Sequence, residues 1–263
     1  MQQVWKGERF QELPDTLDEV LEFLEVDGPC AYGFRPLGED EVYIKYTTLS
    51  MGTVYKRLFR GSGLFTYAPR VREFMNLERL RKQGVSEVEA VVAAEERRYG
   101  LVTKDLLVVR RLKGAVDLRT MLRDQSLTPE AEIAVARRTG KKIGELHESG
   151  FFHRDMFLRN ILVTEGGIHF IDCRKGSWTP WPGRGHTYDL ACLELWTPSF
   201  FSVEARRVLL TEYAAQTNQD PEALYRSIAG ARASLVKSYY ARKRKSHWLD
   251  GDMPLEEVSS PFA

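Results

Sequence analysis

Residues 151–160 read FFHRDMFLRN, and ILVTEGGIHFIDCRKG follows at once. Three side chains in this stretch carry atoms suited to chemistry: Asp155, Asn160 five residues later, and Asp172 seventeen residues after Asp155. A loop followed by a tight hairpin at "EGG" is expected to bring all three onto one rim. A carboxylate that takes a proton from a hydroxyl, with a second carboxylate and an amide oxygen to hold a hard cation, is the set that phosphoryl transfer requires. Such chemistry also needs an upstream cation for nucleotide phosphates, and Lys45 in "VYIK" is the candidate. The plainer alternative is a turn with satisfied charges. A metal hydrolase built on His153, Asp155 and Asp172 is the competing chemistry, but the further His and carboxylate ligands it would need are missing. His153 itself reads as a loop-packing residue.

These residues must be held by regular elements. Leu17, Leu21 and Leu24 recur at helical spacing after Asp15 or Thr16 as N-cap. Two strands are expected around the turn "LGED", the second with Val42 and Ile44 inward and Tyr43 and Lys45 outward. "PRVREFMNLERLRKQGV" is amphipathic, with Phe74, Leu77 and Leu80 on one face and Gly84 as its stop. "KDLLVVRRLKG" reads as a buried strand. In the second half, Thr128 caps a helix that has Pro129 at its first position and Ile133, Ala136, Ile143 and His147 on one face. "NILV" and "IHFIDC" are short strands around "EGG", and the chain beyond residue 186 reads as helical. The expectation is an α+β protein, a small strand-rich part before a larger helical part, with the boundary near Gly114.

"HRDMFLRN" matches the His-Arg-Asp-x-x-x-x-Asn catalytic loop of the protein-kinase-like fold. Asp172 in "IDC" stands where such kinases carry the Asp of Asp-Phe-Gly, and "VYIK" resembles the strand whose Lys meets the phosphates. Glu73 resembles the partner of that Lys, with Glu78 on the same helix as rival, and Asp189 resembles the buried Asp that braces the catalytic loop. The resemblance implies a two-lobed fold with a short activation segment, an N-lobe over 1–113 that grips the nucleotide phosphates and a C-lobe over 114–263 with the catalytic loop, metal site and acceptor side. It implies ATP and Mg2+ as cofactors, Asp155 as base, Asn160 and Asp172 as metal ligands, and Lys45 with Glu73 at the phosphates. Arg110 and Leu112 fall at the adenine hinge, where backbone groups do the binding. Several features depart from the pattern. No Gly-x-Gly-x-x-Gly precedes Lys45, and Phe157 stands where serine/threonine kinases carry a Lys, so Arg159 is the candidate for the missing positive charge. Only sixteen residues separate Asp172 from Asp189, without Ala-Pro-Glu, which leaves little room for a peptide platform.

Among kinase-like families the sequence is most similar to the lipopolysaccharide kinases that phosphorylate Kdo or core heptose. The resemblance rests on "YKRLFRGSGLFTYAPRVREFMNLERLRKQGV", the "HRD...N...IDCRKG" block and "RGHTYDLACLEL". It implies a lipid-linked anionic glycan as substrate. Lys56, Arg57, Arg60 and "KSYYARKRK" at 237–245 are basic clusters expected to touch that substrate or a membrane surface; their plainer reading is a solvated face. A net charge of +1 gives no reason to expect nucleic acid as a partner. Three widely spaced cysteines fit a reducing compartment, and the longest apolar clusters, such as "AVVAA" at 90–94, are too short to span a bilayer. The expected location is cytoplasmic, peripheral on the inner membrane. Alternatives left open are an atypical RIO or Bud32 protein kinase and a nucleotide-binding pseudokinase scaffold. An aminoglycoside-type kinase would want an acidic pocket, against which the basic clusters argue. The tail "LDGDMPLEEVSSPFA" is expected to be loosely ordered.

Overall fold

A computed structural model describes residues 1–50, 52, 66–124, 127–179, 184–243, 255 and 258–262. The chain divides into two compact units, Met1–Lys113 with Asp172–Lys175, and Gly114–Ile171 with Gly176–Ala263. Lys56, Arg57 and Arg60 of the first basic cluster lie outside the described residues, as do Arg244 and Lys245 of the second.

The first unit is an antiparallel sheet with a helix packed on it. Its elements are β1 (Gln2–Lys6), α1 (Leu17–Phe23), β2 (Cys30–Leu37), β3 (Asp40–Thr48), α2 (Pro69–Lys82), β4 (Ala90–Arg98) and β5 (Leu101–Arg110). The strands lie in the order β1-β4-β5-β3-β2. Thr16 caps α1 by accepting the Glu19 amide N–H on its side chain. Val42, Ile44 and Tyr46 of β3 point into one core with Leu17, Val20 and Leu21 of α1 and Leu106 and Val108 of β5. Because side chains alternate along a strand, Tyr43 and Lys45 emerge on the opposite face, and α2 packs against β4 and β5. Strands β1 and β4 are not among the sequence-based expectations. Residues 90–94 are all buried, so β4 reads as a continuous apolar run with no alternation to mark it.

The second unit holds β6 (Val116–Asp117), α3 (Leu118–Asp124), α4 (Pro129–Glu148), β7 (Phe151–Phe152), β8 (Ile161–Val163), β9 (Ile168–Phe170) and β10 (Ser177–Trp178). Helices α5 (Arg184–Glu194), α6 (Thr197–Phe200), α7 (Val203–Gln216) and α8 (Pro221–Lys243) follow. Strands β6, β8 and β9 form one small sheet, and β7 pairs with β10. Thr128 caps α4, Pro129 occupies its first turn, and Gly150 at φ +84° ends the run. Ala136, Ile143 and His147 are buried on α4. Helices α4 and α7 approach closely at Gly140 and Gly144, where Cβ atoms would fall on the Leu209 carbonyl oxygen and within 2.5 Å of Gln216 Cγ.

Of the tail, only Leu255 and residues 258–262 lie among the described residues, and these are tied to the helices. Arg206 and Arg232, both buried, donate to the carbonyls of Ser259 and Leu255 and share Glu194 as anion and carbonyl acceptor. Phe262 meets the Tyr225 ring edge-on at 6.2 Å. Two buried guanidiniums need more acceptors than one carboxylate offers, and the tail's backbone supplies them.

Gly140→Val is expected to destabilise the protein by about 2 kcal/mol or more through overpacking. Gly230 is exposed on α8, and the place a Cβ would take there has no neighbour within 4 Å. Changing it to Ala should instead stabilise by about 1 kcal/mol. Chemical denaturation of the two variants checks both signs.

Candidate active site

In the first unit, Lys45 Nζ lies 2.8 Å from Glu73 Oε1 and 3.9 Å from Asp172 Oδ1. The choice between Glu73 and Glu78 falls to Glu73, since Glu78 pairs with Arg81. Glu73 is buried on α2, and burial is the main force pushing its carboxyl above the ordinary range; the Lys45 charge pulls it back and Asp172 raises it. Asn76, one turn along the same helix face, donates from Nδ2 to the Cys173 carbonyl at 2.9 Å. One helix therefore positions both the partner of Lys45 and the 3-10 turn Cys173–Lys175 that follows Asp172. Asp172 has φ +58°, a conformation uncommon outside glycine, and Arg174 Nε sits 3.3 Å from its Oδ1. The sequence reading missed Asn76 and Arg174. A polar residue on the apolar face of α2 and a basic pair directly after Asp172 were the available signals.

At the end of β5, the Arg110 guanidinium pairs with Asp40 at 2.6 Å and Glu89 at 3.2 Å, and its amide donates to the Glu89 carbonyl. Its side chain is thus engaged in joining strand ends. Leu112 is half-buried.

In the second unit the catalytic-loop segment hangs on Asp189. Its Oδ2 accepts the His153 amide N–H and its Oδ1 accepts that of Arg154, both at 2.6 Å. Arg154 has φ +60°, which costs an L-residue about 1–2 kcal/mol, and the Asp189 bond holds it there. Asp189 also meets His147 Nε2 at 3.3 Å. A carboxylate only accepts, so Nε2 carries a proton, and Nδ1 meets the Tyr213 hydroxyl at 2.9 Å. His186 stacks on His147 at 4.4 Å, and burial, followed by the charge of His147, lowers its pKa to about 4. Helix α5 approaches β7 this closely because residue 185 is glycine: a Cβ would lie 2.6 Å from Phe152 Cδ1.

Asp155 and Asn160 are both buried. Asn160 Nδ2 donates to the Asp155 carbonyl at 2.8 Å, which leaves its side-chain oxygen as the atom it can present. The hairpin β8–β9 brings the chain back: the Ile171 amide donates to the Asn160 carbonyl at 3.0 Å, and His153 Nε2 meets the Ile171 carbonyl at 2.8 Å. Asp172 is the next residue. Arg159 is exposed, with its guanidinium 4.8 Å from the centre of the Phe157 ring. Tyr188, 41% exposed on α5, has its phenol pushed up to about 12 by the partial burial of its ring, then by Cys192, Asp155 and Asp189.

The profile of the "Lipopolysaccharide kinase (Kdo/WaaP) family" matches residues 38–199, which take in every residue described above from Lys45 to Asp189. The chain belongs to this family. The 3-deoxy-D-manno-octulosonic acid kinase of Vibrio cholerae is 30% identical over 117 residues, 43% of this chain and 48% of that protein. The KEOPS complex subunit Bud32 of Pyrococcus abyssi is 34% identical over 70 residues, 27% of this chain and 31% of that protein. The chain thus spans half or less of these curated relatives. The solved structure of WaaP in complex with acyl carrier protein matches 94% of this chain and 100% of that one, with a TM-score of 0.63 at 19% identity. The fold is that of the kinase-like family, α+β, with a sheet-rich N-terminal unit and a helical C-terminal unit.

Asp189→Asn offers one acceptor and one NH2 donor to two backbone N–H groups, so one of them loses its partner. The expected cost is about 1–3 kcal/mol, read by denaturant unfolding, with faster amide exchange at His153 or Arg154. A second expectation concerns pH. A carboxyl raised by folding contributes most stability below its ordinary pKa and loses that contribution as pH rises through the raised value. Glu73→Gln removes this dependence, so the variant should gain in stability relative to the parent as pH rises from the ordinary carboxylate range through the raised value. Thermal melts across that range check it, and a constant difference would count against a perturbed Glu73.

Proposed function

We propose that this protein transfers the γ-phosphoryl group of ATP to a sugar hydroxyl of the lipopolysaccharide core, on Kdo or heptose. The observation that carries this reading is the ion pair of Lys45 with buried Glu73, with Asp172 beside Lys45, in a member of this family. A metal hydrolase has no use for a lysine fixed in this way, whereas nucleotide phosphates require one.

Asp155 orients the acceptor hydroxyl and takes its proton. The hydroxyl oxygen forms a bond to the γ-phosphorus as the bond to the β,γ-bridging oxygen breaks, and ADP leaves with that oxygen. Lys45 holds the nucleotide phosphates, and Glu73 keeps Lys45 in place. The main chain at Leu112 receives the adenine, and Arg110 secures the strand end before it. Asn160 and Asp172 would be the residues to hold magnesium: each would offer a hard oxygen, an amide oxygen and a carboxylate, and a cation that keeps waters and phosphate oxygens needs few protein ligands. No group of three or more His, Cys, Asp or Glu that would hold a metal alone occurs among the described residues. When bound, magnesium offsets charge on the phosphates. Phosphoryl transfer depends mainly on such positioning and electrostatics.

The acceptor is a lipid-linked anionic glycan, met at the cytoplasmic surface of the inner membrane. Among the described residues no helix is long and apolar enough to cross a membrane, so contact with that surface would fall to basic residues such as the exposed Lys237. The likeness to Bud32 favours a second reading, a protein acceptor.

Purified protein with magnesium, γ-labelled ATP and chemically dephosphorylated lipopolysaccharide core is expected to label the glycan. Asp155→Asn should lower turnover by about 10³-fold while nucleotide affinity stays nearly unchanged. Label on protein and none on glycan would favour the second reading. Appreciable activity in the variant would remove Asp155 as base.

A further inference from the structure

The catalytic loop carries Phe157 in place of a lysine, and Arg159 lies over that phenylalanine ring. A different cation stands beside the proposed metal ligand. Arg174 is carried by the 3-10 turn after Asp172, and that turn is fixed on α2 by the bond from Asn76 to the Cys173 carbonyl. Its Nε lies 3.3 Å from Asp172 Oδ1, the same oxygen that faces Lys45 Nζ at 3.9 Å. The two cations differ in freedom. Lys45 is 20% exposed and clasped by buried Glu73, whereas Arg174 is 49% exposed.

We propose that Arg174 is a second phosphate-binding cation, one that leaves Asp172 when magnesium and ATP arrive and grips the γ-phosphoryl group through its Nη atoms. This inference rests on the phosphotransfer reading. A half-exposed ion pair is weak and readily exchanged, so Asp172 can turn from a guanidinium to a metal ion without a large barrier. A freed guanidinium presents paired N–H donors that match two oxygens of a phosphoryl group. Its anchored backbone keeps it within one side chain's reach of Asp172. Before ATP binds, Arg174 offsets the charge on Asp172; afterwards it offsets charge on the transferring group. Because the γ-phosphoryl group distinguishes ATP from ADP, Arg174 should sense that difference.

Titration calorimetry with magnesium, using a non-hydrolysable ATP analogue and ADP, tests the assignment. Arg174→Gln is expected to weaken the analogue about tenfold, or about 1.4 kcal/mol, and to change ADP affinity less than about twofold. Arg174→Lys should recover only part of the loss, since it keeps a point charge but lacks the paired donors. An unaltered melting temperature in both variants keeps the comparison free of folding effects. Equal weakening of analogue and ADP, or no weakening of either, overturns the role of Arg174 alone. Failure of the unsubstituted protein to bind either nucleotide overturns the phosphotransfer reading, and the role of Arg174 with it.

Discussion

A carboxylate buried on a helix is costly to keep charged unless a cation meets it. Glu73 is such a group, and Lys45 is the cation that meets it. Much of the first unit follows from that pairing. Strand β3 must turn Lys45 away from the apolar core, which its alternation with Val42, Ile44 and Tyr46 does. Helix α2 must present Glu73 toward that strand, and Asn76 then faces the same way and holds the turn after Asp172. The places of Lys45 and of the turn after Asp172 thus depend on the packing of one helix.

The second unit uses a buried carboxylate differently. Two backbone amides and a histidine ring satisfy the oxygens of Asp189. Hydrogen bonds from N–H groups stabilise an anion without introducing a mobile charge. That suits its place, because the amides belong to His153 and Arg154, directly before Asp155. The chain from Tyr213 through His147 to Asp189 extends this support into α7, so the backbone before the proposed base is tied to the helical core.

The departures from the kinase pattern form a consistent set. Positive charge absent from the loop at Phe157 is present after Asp172, at Arg174 and Lys175. Only sixteen residues separate Asp172 from Asp189, without Ala-Pro-Glu. The hinge strand ends in arginines rather than an acid, and Arg110 is neutralised by Asp40 and Glu89.

Much of this was legible in the chain because it is decided by near neighbours. Caps at Thr16 and Thr128, the stop at Gly150, the alternation of β3 and the offsets from His153 to Asp172 are local patterns, and elements form where those patterns lie. The family resemblance rests on the same local offsets. The long-range outcomes were not legible. Tertiary structure chose Glu73 over Glu78, placed Asp172–Lys175 with the first unit, paired β1 with β4, and tied Leu255 and Ser259 to Arg232 and Arg206. In each case burial left a charge or a backbone group in need of a partner distant in sequence. Periodicity shows which face of an element is apolar; which partner satisfies a buried charge is decided only when the faces meet.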